Sequence, residues 1–388
     1  MRLRGWLALV SLLVAMNAAG VEARPPRSLV GSLEVSKEAG LGRIELHGRL
    51  AAILQRDEGA VALVDVKNPR KPKVLGRYDD DIQDSFDGDL AFSSDGKWLF
   101  YARQTHQFSK DGIHVLDIGD PKAPALTHYQ PQGGTFRIAY YEDEAGEWIF
   151  SLDAIHGFVV HRFVREAGQL VPVHIDPLPL LKVGGPASAG FFVDAKDPKL
   201  GVPVLYAATG RTGVQMFDIS DPASPALLGS WGELGLAEIE VSATKRSRTI
   251  YGATEYWFDK QLEPKVVVLD ATKPEVIKEK TSWSVGCPAD DQWRVQGMTL
   301  WRGGVLAAHS RWGLVELSRT SGTSPLPVAD APRNDGATVL GDGPYAMDVE
   351  IKGPHIYATD AATGYLSILG RDSADDAKSR NVGKIHCG

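Results

Sequence analysis

Residues 216–231 read MFDISDPASPALLGSW, and the same pattern recurs elsewhere in the chain. Further copies are LVDVKNPRKPKVLGRY (63–78), VLDIGDPKAPALTHY (115–129) and VLDATKPEVIKEKTSW (268–283). Each copy is an apolar run, an Asp, a polar residue before a Pro, and a second apolar run. The interval from Asp117 to Asp218 is about twice the other intervals. A degenerate copy is therefore expected between them, and HRFVREAGQLVPVHI (161–175) fills that place.

The motif predicts a strand, a tight turn and a second strand. Alternating apolar residues before the Asp are typical of a half-buried strand. An Asp or Asn side chain can accept a hydrogen bond from the backbone ahead of it, and the following Pro fixes φ. The Pro also has no N–H for a strand ladder, so it marks the end of the strand.

A second pair of apolar runs precedes each copy, and DLAFSSDGKWLFYARQ (89–104), with an Asp-Gly hairpin turn, is the clearest example. Similar pairs are found at 43–55, 137–153, 191–209, 239–254, 298–309 and 348–360. The chain therefore divides into seven units of four short strands, A to D. This pattern predicts an all-β protein, a β-propeller of seven blades with four antiparallel strands each. A right-handed β-helix is the structural alternative.

The two ends of the chain are predicted to close the ring. Residues 28–35 resemble the D-strand segments of other repeats, yet no C strand precedes them. We therefore expect them to complete the blade formed by 345–369. The tail at 380–387 is an alternative candidate for the same strand.

The first 23 residues have the pattern of a signal peptide, with Arg2 and Arg4 before the apolar run 6–15. A mature domain at 24–388 is then exported, to the periplasm or the extracellular space, and an uncleaved N-terminal anchor is the alternative. No later stretch is long enough to span a membrane. In an oxidising compartment Cys287 and Cys387 either form a disulfide or remain free thiols.

At this point the sequence resembles the LVIVD-repeat proteins, through LVDVKNPRKP, VLDIGDPKAP and MFDISDPASP. The resemblance implies an extracytoplasmic or surface β-propeller. It supplies no catalytic residues, because the family has no single assigned activity and a fold does not by itself fix a function.

The ends of the predicted B strands give one polar position per blade, expected to circle the mouth of the central channel. These candidate ligand-binding residues are Gln55, Gln104, Asp153, Thr209, Thr254, His309 and Asp360. Strand-end capping is the alternative interpretation. The predicted starts of the A strands form a second ring whose opposite charges are expected to pair: Arg43, Asp89, Arg137, Phe191, Glu238, Gly297 and Asp348.

Three histidines, His106, His156 and His309, fall in different B–C loops and are candidate ligands for a divalent metal. The acidic segment 79–89 lacks EF-hand spacing, so a solvated loop is the better interpretation. Loop aromatics (Tyr256, Trp257, Trp293, Trp312) and arginines (Arg56, Arg103, Arg211, Arg311) are candidate contacts for a partner.

The composition gives a net charge of −7 and no overall basic excess, which does not favour a nucleic-acid partner. No G-x-S-x-G, P-loop or dinucleotide motif is present, which favours a non-catalytic module that binds a protein, glycan or small ligand at the channel mouth. A metal-dependent hydrolase, lyase or oxidase with its site at the same mouth is the alternative.

Overall fold

The protein is a seven-bladed β-propeller, as the repeat predicts. The computed structural model describes residues 29–56, 58–79, 85–105, 111–133, 135–153, 157–176, 189–209, 213–232, 234–254, 264–285, 295–301, 303–310, 313–318, 326–327 and 346–370. Within these residues, seven four-stranded antiparallel sheets surround a central channel. The predicted signal peptide, Cys287, Cys387 and the tail 380–387 lie outside them.

The first four blades are built from consecutive strands, each running from an inner strand A to an outer strand D. Blades 1 and 2 comprise β2 (Leu41–His47), β3 (Leu50–Gln55), β4 (Ala60–Asp65), β5 (Lys73–Tyr78), β6 (Ser85–Phe92), β7 (Trp98–Thr105), β8 (Gly112–Asp117) and β9 (Ala125–Pro131). Blades 3 and 4 comprise β10 (Thr135–Asp143), β11 (Gly146–Asp153), β12 (Gly157–Val164), β13 (Gln169–Asp176), β14 (Ala189–Asp194), β15 (Val204–Thr209), β16 (Val214–Asp218) and β17 (Ala226–Trp231).

The last three blades follow the same order, and blade 7 takes its outer strand from the start of the chain. Blades 5 and 6 comprise β18 (Leu236–Ala243), β19 (Arg248–Thr254), β20 (Lys265–Asp270), β21 (Lys278–Ser284), β22 (Val295–Trp301), β23 (Gly304–His309), β24 (Gly313–Ser318) and β25 (Leu326–Pro327). Blade 7 comprises β26 (Ala346–Lys352), β27 (His355–Asp360), β28 (Tyr365–Gly370) and β1 (Leu29–Glu34).

The ring closes through β1, which pairs antiparallel with β28, Ser32 opposite Ser367 and Glu34 opposite Tyr365. The inner strand β26 also lies beside β2. Apart from the short 3-10 helix Pro274–Val276, the described elements are all strands. No helix in this part of the chain is long and apolar enough to cross a membrane.

The hydrophobic core is divided into clusters that lie between neighbouring blades. One cluster joins Val61 and Leu63 of blade 1 to Leu99 and Tyr101 of blade 2, and each of the other pairs of neighbouring blades has its own. A strand between two such clusters is buried on both faces, as Ala60–Val64 shows. The alternating sequence pattern predicts half-buried C strands. This prediction is wrong, because each blade has a neighbour on both sides and its C strand is covered on both faces.

The repeated Asp closes the turn after strand C with a side-chain hydrogen bond. The Asp218 Oδ1 atom accepts from the N–H of Ser220 at 2.8 Å, and Asp117 Oδ1 accepts from the N–H of Gly119 at 2.8 Å. Asp65 and Asp270 make the same bond at 2.9 and 3.0 Å. The predicted turn, in which the side chain replaces a backbone partner, is therefore present in four blades.

Candidate functional site

The connectivity gives the propeller two distinct faces. In each blade the A–B and C–D turns lie at one end of the sheet, which we call the lower face, and the B–C and D–A connections lie at the other, which we call the upper face. The four repeat turns, including the one at Asp218, therefore lie on the lower face. The predicted channel mouth lies on the upper face.

The ends of the B strands reach the upper face at one level around the channel. In six blades the last B residue pairs with the first A residue: Gln55 with Leu41, Asp153 with Thr135, Thr209 with Ala189, Thr254 with Leu236, His309 with Val295 and Asp360 with Ala346. In blade 2 this residue is Thr105, opposite Ser85. Gln104 therefore precedes the equivalent position by one residue.

Two of these side chains are buried and donate to backbone carbonyls. The Gln55 Nε2 atom donates to the Val35 oxygen at 3.3 Å, and His309 Nε2 donates to the Val285 oxygen at 2.8 Å. Both acceptors lie at or just beyond the end of a D strand. These bonds tie the D strand to the mouth and fix the start of the following connection.

Other members of the ring accept bonds from nearby backbone. Thr254 Oγ1 accepts from the N–H of Lys265 at 3.0 Å. Asp360 Oδ1 accepts from the N–H groups of Ala362 and Thr363 at 2.7 and 2.9 Å. The ring therefore contributes to the shape of the B–C connections. The side chains of Asp153 and Thr209, together with His106 and His156, lie outside the described part of the structure.

Just inside the mouth, charged side chains of the A strands pair across the channel, as expected. Arg43 pairs with Glu238, and its Nη1 atom lies 3.6 Å from Asp348 Oδ1. The Arg137 Nη2 atom lies 3.2 Å from Glu238 Oε1. Glu238 of blade 5 thus bridges arginines of blades 1 and 3, because an inner ring of seven strands brings distant repeats together.

Two aspartates of this ring also fasten one blade to the next. Asp348 Oδ2 accepts from the N–H of Ile44 at 3.0 Å, and Asp89 Oδ2 accepts from the N–H of Ile138 at 3.0 Å. Burial raises the pKa of Asp89 to about 6, although Arg137 and Arg43 oppose the rise. The same buried carboxylates therefore interact with arginines in the channel and hydrogen-bond the inner strand of the next blade.

A second group of carboxyls, Glu45, Glu240 and Glu350 on the A strands of blades 1, 5 and 7, lies deeper in the channel and was not predicted from the sequence. Burial raises the pKa of Glu45 and of Glu240, and the nearby Glu350 carboxyl raises both further. Burial, with Asp348 beside it, raises the pKa of Glu350 to about 8. Glu238 and Glu240 are two residues apart on a predicted A strand, so both side chains point to the same face of that strand. This spacing is the sequence signal that could have predicted the deeper carboxyls.

Among the described residues, the channel therefore holds more carboxyls than cations. Glu45, Asp89, Glu238, Glu240, Asp348 and Glu350 stand with two arginines, Arg43 and Arg137. Such a channel can retain protons at neutral pH. Among the residues that the structure describes, no three His, Cys, Asp or Glu side chains are close enough together to hold a metal ion.

Arg103 does not lie in an exposed loop, and the prediction from the sequence is wrong on this point. It belongs to β7 and is 2% exposed, with its guanidinium 5.9 Å from the centre of the Tyr129 ring. In the same cluster the Tyr78 hydroxyl bonds His114 Nδ1 at 2.9 Å. Burial, assisted by Arg103, lowers the pKa of His114 to about 3. The neutral imidazole is therefore a packed core group of blades 1 and 2.

Residues 205–232, which run from β15 through the turn at Asp218 to β17, match the family model described as LVIVD repeat. The chain is a β-propeller with an LVIVD repeat. The matched segment covers most of strand B and all of strands C and D of blade 4, including the MFDISDPASP copy of the repeat. No curated protein matches the sequence.

Solved structures similar to this chain include a β-propeller domain. The Saccharomyces cerevisiae Sqt1 structure has a TM-score of 0.54 and 8% identity, covering 89% of this chain and 99% of that one. The Myceliophteria thermophila Cps50 (Swd1) β-propeller domain has a TM-score of 0.56 and 11% identity, covering 89% and 99%. Chaetomium thermophilum Raptor has a TM-score of 0.57 and 11% identity, covering 93% of this chain and 30% of Raptor. These likenesses support the fold alone.

Proposed function

We propose that this protein is an exported interaction module that binds a protein, glycan or small ligand on its upper face. The observation that carries the proposal is the common level at which the seven B strands end around the channel. A rigid scaffold that presents several loops side by side is the usual architecture of a binding surface. On the lower face, the described C–D turns of four blades are instead short and closed by their own Asp side chains.

The channel below the upper face supports a binding role because its charges are held in place. Arg43, Glu238 and Asp348 are mostly buried and paired, so the mouth keeps one electrostatic pattern without reorganising. A preorganised surface loses less conformational entropy on binding than a flexible one. The predicted loop aromatics, Trp257 among them, would add contact area of the kind that dominates binding energies.

Site-specific photo-crosslinking tests the proposed face. A photoreactive residue replaces Lys37 or, in a second protein, Ala362, both exposed in connections of the upper face. Matched control proteins place it at Lys245 or Arg246, exposed in the lower-face turn between β18 and β19. After irradiation of cells that express each protein, specific adducts are expected from the upper-face positions. Adducts only from the lower face would contradict the proposal.

Export is tested separately on the same cultures. The exported fraction is expected to contain a chain that begins at Arg24, determined by intact-mass measurement. A chain that keeps Met1 and remains in the cytosolic fraction would contradict export. The crosslinking result on the upper face would not be affected.

A partner identified by crosslinking is then titrated against the purified protein, with Trp257→Ala expected to weaken binding at least tenfold.

A further inference from the structure

In the part of the chain that the structure describes, six basic side chains lie together at the lower ends of blades 1 and 7. We call this set the basic patch: Arg49, Lys67, Arg70, Lys71, Lys73 and Lys352. Hydrogen bonds to backbone carbonyls connect the turns that carry these six side chains. Lys352 donates to the Gly48 carbonyl, and the Arg49 carbonyl accepts from the N–H of Val66 at 2.9 Å. Three turns from two blades therefore form one surface.

The basic patch has a local charge opposite to that of the whole chain. The chain has a net charge of −7. On the three turns 47–50, 65–73 and 352–355, Asp65 is the one carboxylate among the described residues. The five basic residues of blade 1 are exposed, and within that part of the structure none of them forms an ion pair. Lys280 on the lower face of blade 5, in contrast, pairs with Asp270 at 2.9 Å.

The fold does not require these cations. The corresponding turn of blade 4, DISDPASPA, has no basic residue, yet Asp218 and Asp221 make the same side-chain bonds as Asp65 and Asn68 in blade 1. The turn of blade 2 has only Lys122. The same backbone is thus built with and without positive charge, which leaves the basic residues of blade 1 available for a partner.

The basic patch adjoins the point where the N-terminal sequence enters the propeller. β1 begins at Leu29 on the lower face, and Gly31 lies against Pro69 and Arg70 of the basic patch turn. The sequence directly before Leu29 contains two further cations, Arg24 and Arg27. Val74, next to Lys73, is 41% exposed and adds an apolar group at the same edge.

We propose that the basic patch binds an anionic phospholipid surface. The propeller then contacts the bilayer through the lower edge of blades 1 and 7, with blades 4 and 5 away from the membrane and the upper face toward solvent. The inference is therefore independent of what the upper face binds. Lysine and arginine side chains near an anionic leaflet each add to attraction, and an apolar neighbour deepens the contact. The exposed Val74 among these cations favours a bilayer over a soluble polyanion, because its apolar side chain gains free energy by entering the headgroup boundary.

Vesicle flotation tests the proposal with the purified protein and a quadruple variant, Lys67→Glu, Arg70→Glu, Lys71→Glu and Lys73→Glu. The matched control, with the same change in net charge on blades 4 and 5, is Lys196→Glu, Lys245→Glu, Arg246→Glu and Lys278→Glu. Vesicles contain phosphatidylcholine alone or an equal mixture with phosphatidylglycerol. All proteins are prepared with the same N-terminus, and thermal melting verifies that each is folded.

The unsubstituted protein and the control are expected to float with anionic vesicles and not with neutral ones. The quadruple variant is expected to partition at least about tenfold less. Binding is expected to weaken sharply at ~1 M salt, where the screening length falls to about 3 Å. Equal loss in the control, equal binding to neutral vesicles, or binding to heparin without binding to anionic vesicles would each overturn the proposal.

Discussion

Gly31 of β1 lies so close to the carbonyl oxygen of Pro69 in the next blade that a Cβ at residue 31 would overlap it. The same relationship joins Gly76 of blade 1 to Pro121 of blade 2, and Gly229 of blade 4 to Pro274 of blade 5. The glycine of one D strand and the proline turn of the following blade therefore form an interlock. At Gly31 this interlock joins the first strand of the chain to blade 1.

Gly31→Ala is expected to lower the free energy of unfolding by about 1–3 kcal/mol, because the new methyl group displaces the Pro69 backbone. Urea unfolding followed by tryptophan fluorescence measures the change. Glu34→Ala, at an exposed position of the same strand, is the control and is expected to cost less than about 0.5 kcal/mol. Equal free energies of unfolding for the two variants would show that the close approach of Gly31 to Pro69 does not limit the residue at position 31.

Asp218→Ala is expected to cost about 1 kcal/mol, because the N–H of Ser220 loses its 2.8 Å acceptor. Asp218→Asn keeps a side-chain oxygen at that place and is expected to retain most of the stability. Thermal unfolding of the two variants distinguishes the hydrogen bond from the negative charge. If the Asn variant loses as much as the Ala variant, the charge rather than the turn bond stabilises this repeat.

Stability is expected to decrease as pH rises from about 5 to about 8. The pKa of Glu350 is about 8 in the fold and 4.5 ordinarily, so between these values the folded protein binds more protons than the unfolded chain. The stabilisation is fully present below the ordinary pKa and is lost as pH rises through the folded one. A loss of roughly 1–3 kcal/mol across this range is expected from chemical denaturation at a series of pH values.

The variant that isolates this effect is Glu350→Gln, which cannot ionise. Its stability is expected to change less with pH and to exceed that of the unsubstituted protein near pH 8. Asp270→Asn is the control, because the Thr272 hydroxyl and other bonds lower the pKa of this surface carboxyl to about 2. A Glu350→Gln profile that parallels the unsubstituted one would exclude Glu350 as the source of the pH dependence.

Asp197→Ala is expected to cost about 3–5 kcal/mol, because it leaves the Arg248 guanidinium buried without its carboxylate. Both side chains are inaccessible to solvent, and Arg248 Nε donates to Asp197 Oδ2 at 2.8 Å. The same carboxylate accepts from the N–H groups of Lys199 and Leu200. Urea unfolding is the measurement, with Asp194→Ala as a nearby control that loses a single bond to the N–H of Lys196 at 3.1 Å.

Local chemistry made the fold predictable. Asp-Pro turns, apolar runs of strand length and an interval near fifty residues all depend on neighbours in the sequence. The resemblance of residues 28–35 to a D strand is of the same kind, and Leu29–Glu34 does pair with β28. Buried C strands were misjudged, because a sequence pattern does not show that a second blade covers the outer face.

The candidate site was less predictable because its parts come from distant repeats. Alignment of the B-strand ends located one residue in each blade, but the one-residue offset of Gln104 became visible only from strand register. Glu45, Glu240 and Glu350 are far apart in the chain. Their pKa values are raised by burial and by neighbouring carboxyls, Glu350 for the first two and Asp348 for Glu350. The sequence also placed Arg103 in a loop, whereas β7 extends through it.

The sequence by itself determined the repeat, the Asp-closed turns and the number of blades, since these follow from hydrogen bonds and packing between residues close along the chain. Only the tertiary structure decided which side chains meet in the channel and which cations share the basic patch. Closing the ring brings Glu238 to Arg43, which are 195 residues apart in the sequence, and Lys352 to Gly48, which are 304 residues apart. Electrostatic interactions depend on distance in space, and that distance is set when the ring closes.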